Sequence, residues 1–302
     1  MLFRRLGRTG LKVAALCLGG NVFGWTADEQ ASHAVLDTYV ESGGNFIDTA
    51  DVYSSWAPGH RGGESETVLG RWMRQRGNRE QMLIATKVGS RMGAGANDQG
   101  LSRQHIMQAV EASLRRLQTE YIDLYLSHQD DLETPQEETL RAYDDLVRQG
   151  KVRYLGASNF SAWRTTSALW QSERHGYARY VCIQPPYSLA NREAYERELE
   201  PCCRELGLGV MTYSSLASGF LSGKYRPGKA LPSSQRAQGI QKRYMNERGF
   251  AILGKMDGVA EAHQATLAQV ALPGFWRGQA LRRRLPARRL LRRLVNCSAP
   301  LR

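Results

Sequence analysis

The chain has 302 residues, with 41 Lys and Arg against 29 Asp and Glu, and a formal net charge of +12. Residues 262–302 hold nine of the arginines and no Lys, Asp or Glu, so residues 1–261 carry a net charge of only +3. A hydrophobic content of 42% excludes a disordered chain, and no apolar run approaches the ~18 residues that a membrane-spanning helix needs.

The beginning of the chain and its cysteines predict a compartment. The first ten residues contain no apolar region typical of a secretory signal, and the five cysteines include no C-x-x-C pair. We therefore expect a cytoplasmic protein without a disulfide framework and without a metal site.

Short apolar runs alternate with amphipathic stretches along the first 260 residues. Residues 2–13 predict a β-hairpin around Gly7 and Gly10. Apolar runs then predict seven strands, at residues 13–19, 45–50, 82–88, 122–128, 152–159, 180–186 and 208–214. Their apolar residues do not strictly alternate with polar ones, which is typical of parallel strands that are covered on both faces.

Helix signals separate these strands. A capping box at Thr26-x-x-Glu29, a serine at Ser102 and the pair Thr134-Pro135 mark three helix starts. Seven consecutive strand–helix repeats fit a (β/α)₈ TIM barrel better than an open doubly wound sheet. We therefore predict an α/β fold with the hairpin outside the barrel and a single barrel domain over residues 1–272.

The predicted strands end in unusually polar residues, and barrel active sites lie at these carboxyl ends. They are Asp48, Lys87, His128, Ser158–Asn159, Gln184 and Tyr213–Ser214. Each one alone is compatible with a turn cap, a snorkelling side chain or a core residue with satisfied hydrogen bonds. Six such endings are harder to explain in this way, because an unpaired buried polar group costs ~1–3 kcal/mol.

Tyr53 follows Asp48 by five residues, in the loop after the second predicted strand. A phenol has a pKa near ~10 and is a poor acid at neutral pH unless a neighbouring ammonium favours its phenolate. Lys87 could provide the ammonium and Asp48 the carboxylate that holds it, with His128 as a neutral donor to a carbonyl oxygen. This set of residues predicts protonation of an alkoxide as it forms during hydride delivery.

Six motifs in this order resemble the aldo-keto reductases, from about Phe3 to about Ala271. They are GGNFIDTADVYS (43–54), IATKVG (84–89), LSH (126–128), GASNF (156–160), IQPPYSL (183–189) and YSSLASGFLSGKY (213–225). The resemblance implies reduction of a small-molecule aldehyde or ketone. It also implies a catalytic tetrad, in which Tyr53 is the general acid/base, Lys87 and Asp48 tune it, and His128 orients the carbonyl.

The same resemblance implies NADPH, or less often NADH, bound without a Rossmann fold. By motif, Ser158, Asn159 and Gln184 would hold the carboxamide and Tyr213 would stack on the nicotinamide. The pyrophosphate would be lined by Ser214, Leu216, Gly219 and Lys224. The family also includes non-catalytic, cofactor-binding regulatory subunits of channels, which leaves a binding protein as the alternative. An insertion at residues 54–65 brings Trp56 and His60 close to Tyr53, either to line a substrate pocket or to pack the loop.

The last 30 residues, 273–302, depart from the family. Pro273-Gly274 stops the helix, and no strand with a polar carboxyl end follows, so we predict that the eighth βα unit and the 2′-phosphate loop are disrupted. One hypothesis is a frameshift. With suitable choices of degenerate bases, a neighbouring reading frame gives WLLARPGIAAPIASAT, which resembles the missing segment. Sequencing the coding DNA across codons 268–302 tests it.

The rival interpretation makes this Arg-rich tail functional. Its arginine pairs and triplet, interleaved with Leu, would form a basic amphipathic helix for RNA or an acidic membrane. Pro286 interrupts such a helix, and Trp276 is its last aromatic residue. We therefore expect neither a nucleic-acid nor a membrane partner.

Overall fold

The computed structural model describes residues 1–272, which divide into two compact units. The first unit comprises Met1–Gln184 and Pro201–Met211, and the second comprises Pro185–Glu200 and the described residues from Thr212 onward. The assignment of residues 1–272 to one barrel domain stays a prediction. The tail, with its disrupted eighth unit and its frameshift or RNA-binding interpretations, lies outside the described residues.

The amino-terminal hairpin forms as predicted. Strands β1 (Phe3–Arg5) and β2 (Lys12–Ala14) pair antiparallel, and Thr9 Oγ1 donates a hydrogen bond of 2.7 Å to the Leu6 carbonyl in the turn. The prediction of one strand over residues 13–19 is wrong, because Val13 and Ala14 belong to the hairpin. The first barrel strand, β3 (Leu18–Gly19), begins only after the chain has left the hairpin.

Seven parallel strands form one curled sheet in the first unit, and they pair in chain order from β3 to β9. The six strands after β3 are β4 (Phe46–Asp48), β5 (Leu83–Val88), β6 (Ile122–Ser127), β7 (Val152–Ser158), β8 (Tyr180–Gln184) and β9 (Gly209–Val210). All residues of β4 and β6 are buried, as expected for strands covered on both faces. This is the predicted α/β barrel architecture.

Helices connect these strands and cover the sheet. They are α1 (Glu29–Glu41), α2 (Glu64–Arg76), α3 (Arg103–Leu117), α4 (Gln136–Arg148), α5 (Ala162–His175) and α6 (Glu200–Leu206). Ser102 caps α3 and α4 follows Pro135, as predicted. The prediction of a capping box at Thr26 is wrong. Asp28 instead caps α1, by accepting a hydrogen bond of 2.8 Å from the Ala31 amide.

The second unit has its own hydrophobic core. It contains α7 (Ala237–Tyr244), α8 (Glu247–Ala262), α9 (Leu267–Ala271) and a 3₁₀ segment at Ala217–Ser222. Phe220 and Leu221 of the 3₁₀ segment are completely buried and belong to the same hydrophobic cluster as Leu253 and Met256 of α8. This packing holds the segment that the sequence assigns to the pyrophosphate.

Helix hydropathy and the state of the cysteines are both the subject of sequence-based expectations. None of their helices is both apolar enough and long enough to cross a bilayer. Cys17, Cys182, Cys202 and Cys203 are free thiols, while Cys297 lies outside the described part of the chain.

Candidate active site

A completely buried lysine lies at the centre of the candidate site. Lys87, in β5, donates hydrogen bonds from Nζ to Asp48 Oδ2 at 2.7 Å, to the Thr49 carbonyl at 2.7 Å and to Tyr53 Oη at 2.9 Å. An ammonium group has three N–H donors, so all of them are used. The lysine therefore links the end of β4 to the tyrosine in the loop that follows.

The Tyr53 hydroxyl accepts from Lys87 and donates to Asp48 Oδ2 at 3.1 Å. Its main-chain amide donates to the Ala50 carbonyl at 3.3 Å, which turns the loop directly after β4. The phenol is therefore held between an ammonium that favours its phenolate and a carboxylate that accepts its proton in a hydrogen bond. The structure thus brings together the first three members of the predicted tetrad.

Asp48 receives a further hydrogen bond that the sequence did not predict. Gln184 Nε2, at the end of β8, donates to Asp48 Oδ1 at 2.8 Å. Asp48 is mostly buried, and its two carboxylate oxygens accept bonds from Lys87, Tyr53 and Gln184. These contacts fix the orientation of the carboxylate from three elements of the first unit.

His128, directly after β6, completes the predicted tetrad. Its ring packs edge-on against Tyr53, with a centroid separation of 5.9 Å, and Ser90 Oγ lies 3.3 Å from its Nδ1. Burial lowers the pKa of His128 to about 4, and the nearby positive charge of Lys87 contributes. The ring is therefore neutral at pH 7, with one N–H donor and one acceptor nitrogen.

The three predicted carboxamide ligands lie together in the first unit. Asn159 Nδ2 donates to Ser158 Oγ at 3.2 Å and to the His128 carbonyl at 2.8 Å, while Ser158 Oγ donates to the Gln184 carbonyl at 2.8 Å. Asn159 has a φ of 58°, a conformation that Asn adopts more readily than most residues. Their binding of a carboxamide stays a prediction.

In the second unit, the predicted pyrophosphate segment follows a fixed tyrosine. Tyr213 is 38% exposed, and its main chain donates to the Pro185 carbonyl and accepts from the Tyr187 amide, both at 3.1 Å. The next residues include a run of positive φ angles, at Ser214 (55°), Ala217 (50°), Ser218 (59°) and Gly219 (106°). Left-handed conformations of this kind occur in main-chain turns that bind anions.

Lys224 lies close to this loop. A Cβ added at Gly219 would stand 3.8 Å from Lys224 Nζ, which places an ammonium group beside the glycine. Main-chain turns of this kind and a lysine fit a pyrophosphate. Leu216, which accepts main-chain bonds from Gly219 and Leu221, shapes the loop.

Asp51 is a buried acid that the sequence did not single out. It is 1% exposed, and within residues 1–272 neither of its carboxyl oxygens has a hydrogen-bond partner. Burial raises its pKa well above the usual value, and the negative charge of Glu66 adds to the effect. Its main-chain amide donates to the Lys87 carbonyl at 3.3 Å, so its backbone is bonded directly to that of the buried lysine.

The Asp51→Asn variant is expected to gain stability over the wild type as pH rises. The folded state raises the pKa of Asp51, so wild-type stability falls above the unfolded value of about 4, by up to about 1.4 kcal/mol per pH unit. The asparagine cannot titrate. Urea unfolding of both proteins from pH 5 to pH 8 measures the difference, with Glu137→Gln, at an exposed position of α4, as the control for a lost negative charge. A pH-independent difference would contradict the argument.

The described residues contain no group of three or more His, Cys, Asp or Glu side chains that could hold a metal ion.

Known proteins resemble this chain over most of its length. The model of the aldo/keto reductase family matches residues 15–273. The chain belongs to the aldo/keto reductase family. It is 40% identical over 279 residues to a Bacillus subtilis (strain 168) protein described as the uncharacterized oxidoreductase YrpG. The aligned region covers 90% of this chain and 84% of that protein. The general class of its chemistry is therefore oxidoreduction, and the family generally uses NAD(P)H.

A second relative has a different description. The chain is 36% identical over 279 residues to an Arabidopsis thaliana protein described as a probable voltage-gated potassium channel subunit beta, with 90% of this chain and 82% of that protein covered.

Proposed function

We propose that this aldo/keto reductase reduces an aldehyde or ketone to the alcohol, with NADPH as the hydride donor and Tyr53 as the proton donor. One observation supports this most strongly. Tyr53 Oη lies within 2.9 Å of Lys87 Nζ and 3.1 Å of Asp48 Oδ2, so a weak acid is held by a charged pair. This arrangement suits a group that must release and regain a proton at neutral pH.

When bound, the reduced nicotinamide supplies a hydride to the carbonyl carbon. His128 donates an N–H to the carbonyl oxygen and polarises the double bond. Tyr53 transfers its hydroxyl proton to that oxygen as the C=O π bond breaks, which yields the alcohol. The Lys87 ammonium stabilises the phenolate that Tyr53 becomes, until a proton from solvent restores it.

The cofactor assignment is part of the proposal. Ser158, Asn159 and Gln184 present amide and hydroxyl groups that are complementary to a carboxamide. The segment with positive φ angles and Lys224 suits two phosphates. We propose that Tyr213 stacks on the nicotinamide.

Oxidation of NADPH by the purified full-length chain, with a panel of aromatic and aliphatic aldehydes, tests the proposed function. We expect absorbance of the reduced nicotinamide to fall only when a carbonyl substrate is present. The alternative is a cofactor-binding regulatory subunit, to which the similarity to the plant channel subunit points. Binding of NADPH, detected by fluorescence, without turnover of any aldehyde would favour that alternative.

Trp56 is expected to contact the substrate. Its ring centroid lies 6.1 Å from that of Tyr53 and 5.5 Å from that of Trp25, and 48% of the residue is exposed. Trp56→Ala should raise KM for an aromatic aldehyde about fivefold, which corresponds to the free energy contributed by one aromatic pair. KM for a small aliphatic aldehyde should change little.

Trp170→Ala is the matched control for Trp56→Ala, because Trp170 is a 59% exposed tryptophan on α5. If Trp56→Ala changes KM for the aromatic and the aliphatic aldehyde equally, Trp56 only packs the loop. Steady-state kinetics on both substrates makes the comparison.

A further inference from the structure

Ser90 lies two residues beyond the end of β5, the strand that carries Lys87. Its Oγ is 3.3 Å from Nδ1 of His128, and the residue is half-buried. The sequence motifs assign no role to Ser90, and the proposed reaction does not use it directly. The end of one strand therefore places both the lysine beside Tyr53 and a hydroxyl beside the histidine.

Other contacts of His128 act on its main chain. The His128 amide donates to the Val88 carbonyl at 2.8 Å, and its carbonyl accepts from Asn159 Nδ2 at 2.8 Å. These bonds hold the backbone, but they do not restrict rotation of the imidazole ring about the side-chain bonds. The ring itself contacts the edge of Tyr53 and the hydroxyl of Ser90. A hydrogen bond to Nδ1 therefore restrains the ring.

The chemistry decides the direction of this hydrogen bond. A carbonyl oxygen can only accept, so the nitrogen that faces it must carry a proton. A neutral imidazole carries one proton, and the nitrogen without it is an acceptor. With Nδ1 beside Ser90, Nε2 is the nitrogen left to donate to a substrate. Nδ1 must then accept, and a serine hydroxyl is able to donate.

We propose that Ser90 donates a hydrogen bond to Nδ1 of His128 and so holds the ring in place with its proton on Nε2. Ser90 is a positioning residue, since it acts on the substrate through His128. The inference rests on the proposed function for the role of His128, whereas the hydrogen bond itself can be measured without any substrate.

Nitrogen NMR of the full-length chain, labelled with ¹⁵N at its six histidines, tests the hydrogen bond directly. His128→Gln assigns the signal by its loss. We expect Nδ1 to show the chemical shift of an unprotonated nitrogen that accepts a hydrogen bond, and Nε2 that of a protonated one. In Ser90→Ala the Nδ1 signal should move towards that of a free lone pair, and in Ser90→Thr, which keeps the hydroxyl, it should stay.

Kinetics add a functional measurement. We expect Ser90→Ala to lower kcat about fivefold, which corresponds to the net free energy of one hydrogen bond. KM should stay within about twofold of wild type. Ser90→Thr should recover most of the loss. Ser55→Ala, which removes a hydroxyl from the loop that carries Tyr53, is the matched control and should leave the Nδ1 signal unchanged.

Two results would overturn the inference. One is a proton on Nδ1 in the wild type, and the other is an Nδ1 signal that is unchanged in Ser90→Ala. Both are observed without cofactor or aldehyde. A chain that shows the expected NMR signals but no reductase activity would refute the proposed function and leave the Ser90 hydrogen bond established.

Discussion

Tyr53→Phe is expected to lower kcat/KM for aldehyde reduction by a factor of about 10² to 10⁴, the usual contribution of a general acid. Phenylalanine keeps the ring that packs against His128 and Trp56 but removes the hydroxyl that Lys87 and Asp48 hold. Binding of NADPH should change little, because the hydroxyl lies in the predicted proton path. Initial rates at saturating NADPH and cofactor titration by fluorescence measure the two effects.

Tyr154→Phe is the matched control for Tyr53→Phe, because it removes a phenolic hydroxyl from β7 outside the tetrad. We expect wild-type activity from it. Wild-type rates in Tyr53→Phe would refute the assigned role of Tyr53. Unfolding curves for both variants establish that the folded state is retained.

Lys87→Met is expected to abolish measurable reduction and to destabilise the fold by about 3–5 kcal/mol, the usual cost of breaking a buried ion pair. Lys87 is completely buried and donates three hydrogen bonds, so its loss leaves the Asp48 carboxylate without its cation. Methionine has a similar length and no charge. The midpoint of urea unfolding measures the stability, and NADPH oxidation measures the activity.

A second substitution separates the two effects of Lys87→Met. Adding Asp48→Asn removes the uncompensated charge, so the double variant should recover most of the lost stability while remaining inactive. Recovery of activity in the double variant would contradict the requirement for the ammonium beside Tyr53. A double variant as unstable as Lys87→Met would instead show that packing, not charge, sets the cost.

The sequence predicted the barrel and the tetrad because both depend on local patterns. Apolar strands that end in polar residues are visible in the chain, and parallel strands place their carboxyl ends at the same edge of the sheet. Lys87 and Asp48 therefore meet as expected, although 39 residues separate them. The ends of elements were harder to predict. Thr26 and Asp28 are both good capping residues, and only the hydrogen bond to the Ala31 amide distinguishes them.

The contacts that the sequence did not reveal join residues without a distinctive pattern. Gln184 and Asp48 are 136 residues apart, and an amide at the end of a strand has many potential partners. Ser90 is a serine in a loop, where serines are common. Most aspartates are exposed, so nothing in the sequence marks Asp51, and only the folded chain shows that it is buried.

The ion pair lies on strands, whereas the groups expected to meet the substrate lie on loops. Lys87 and Asp48 are fixed by β5 and β4, while Trp56 belongs to the loop that continues from Tyr53. Substitutions in this loop beyond Tyr53 can therefore change the choice of substrate while the ion pair on the strands stays in place. For protein engineering, a library confined to residues 55–61 would sample new aldehydes while every variant retains the same proton donor.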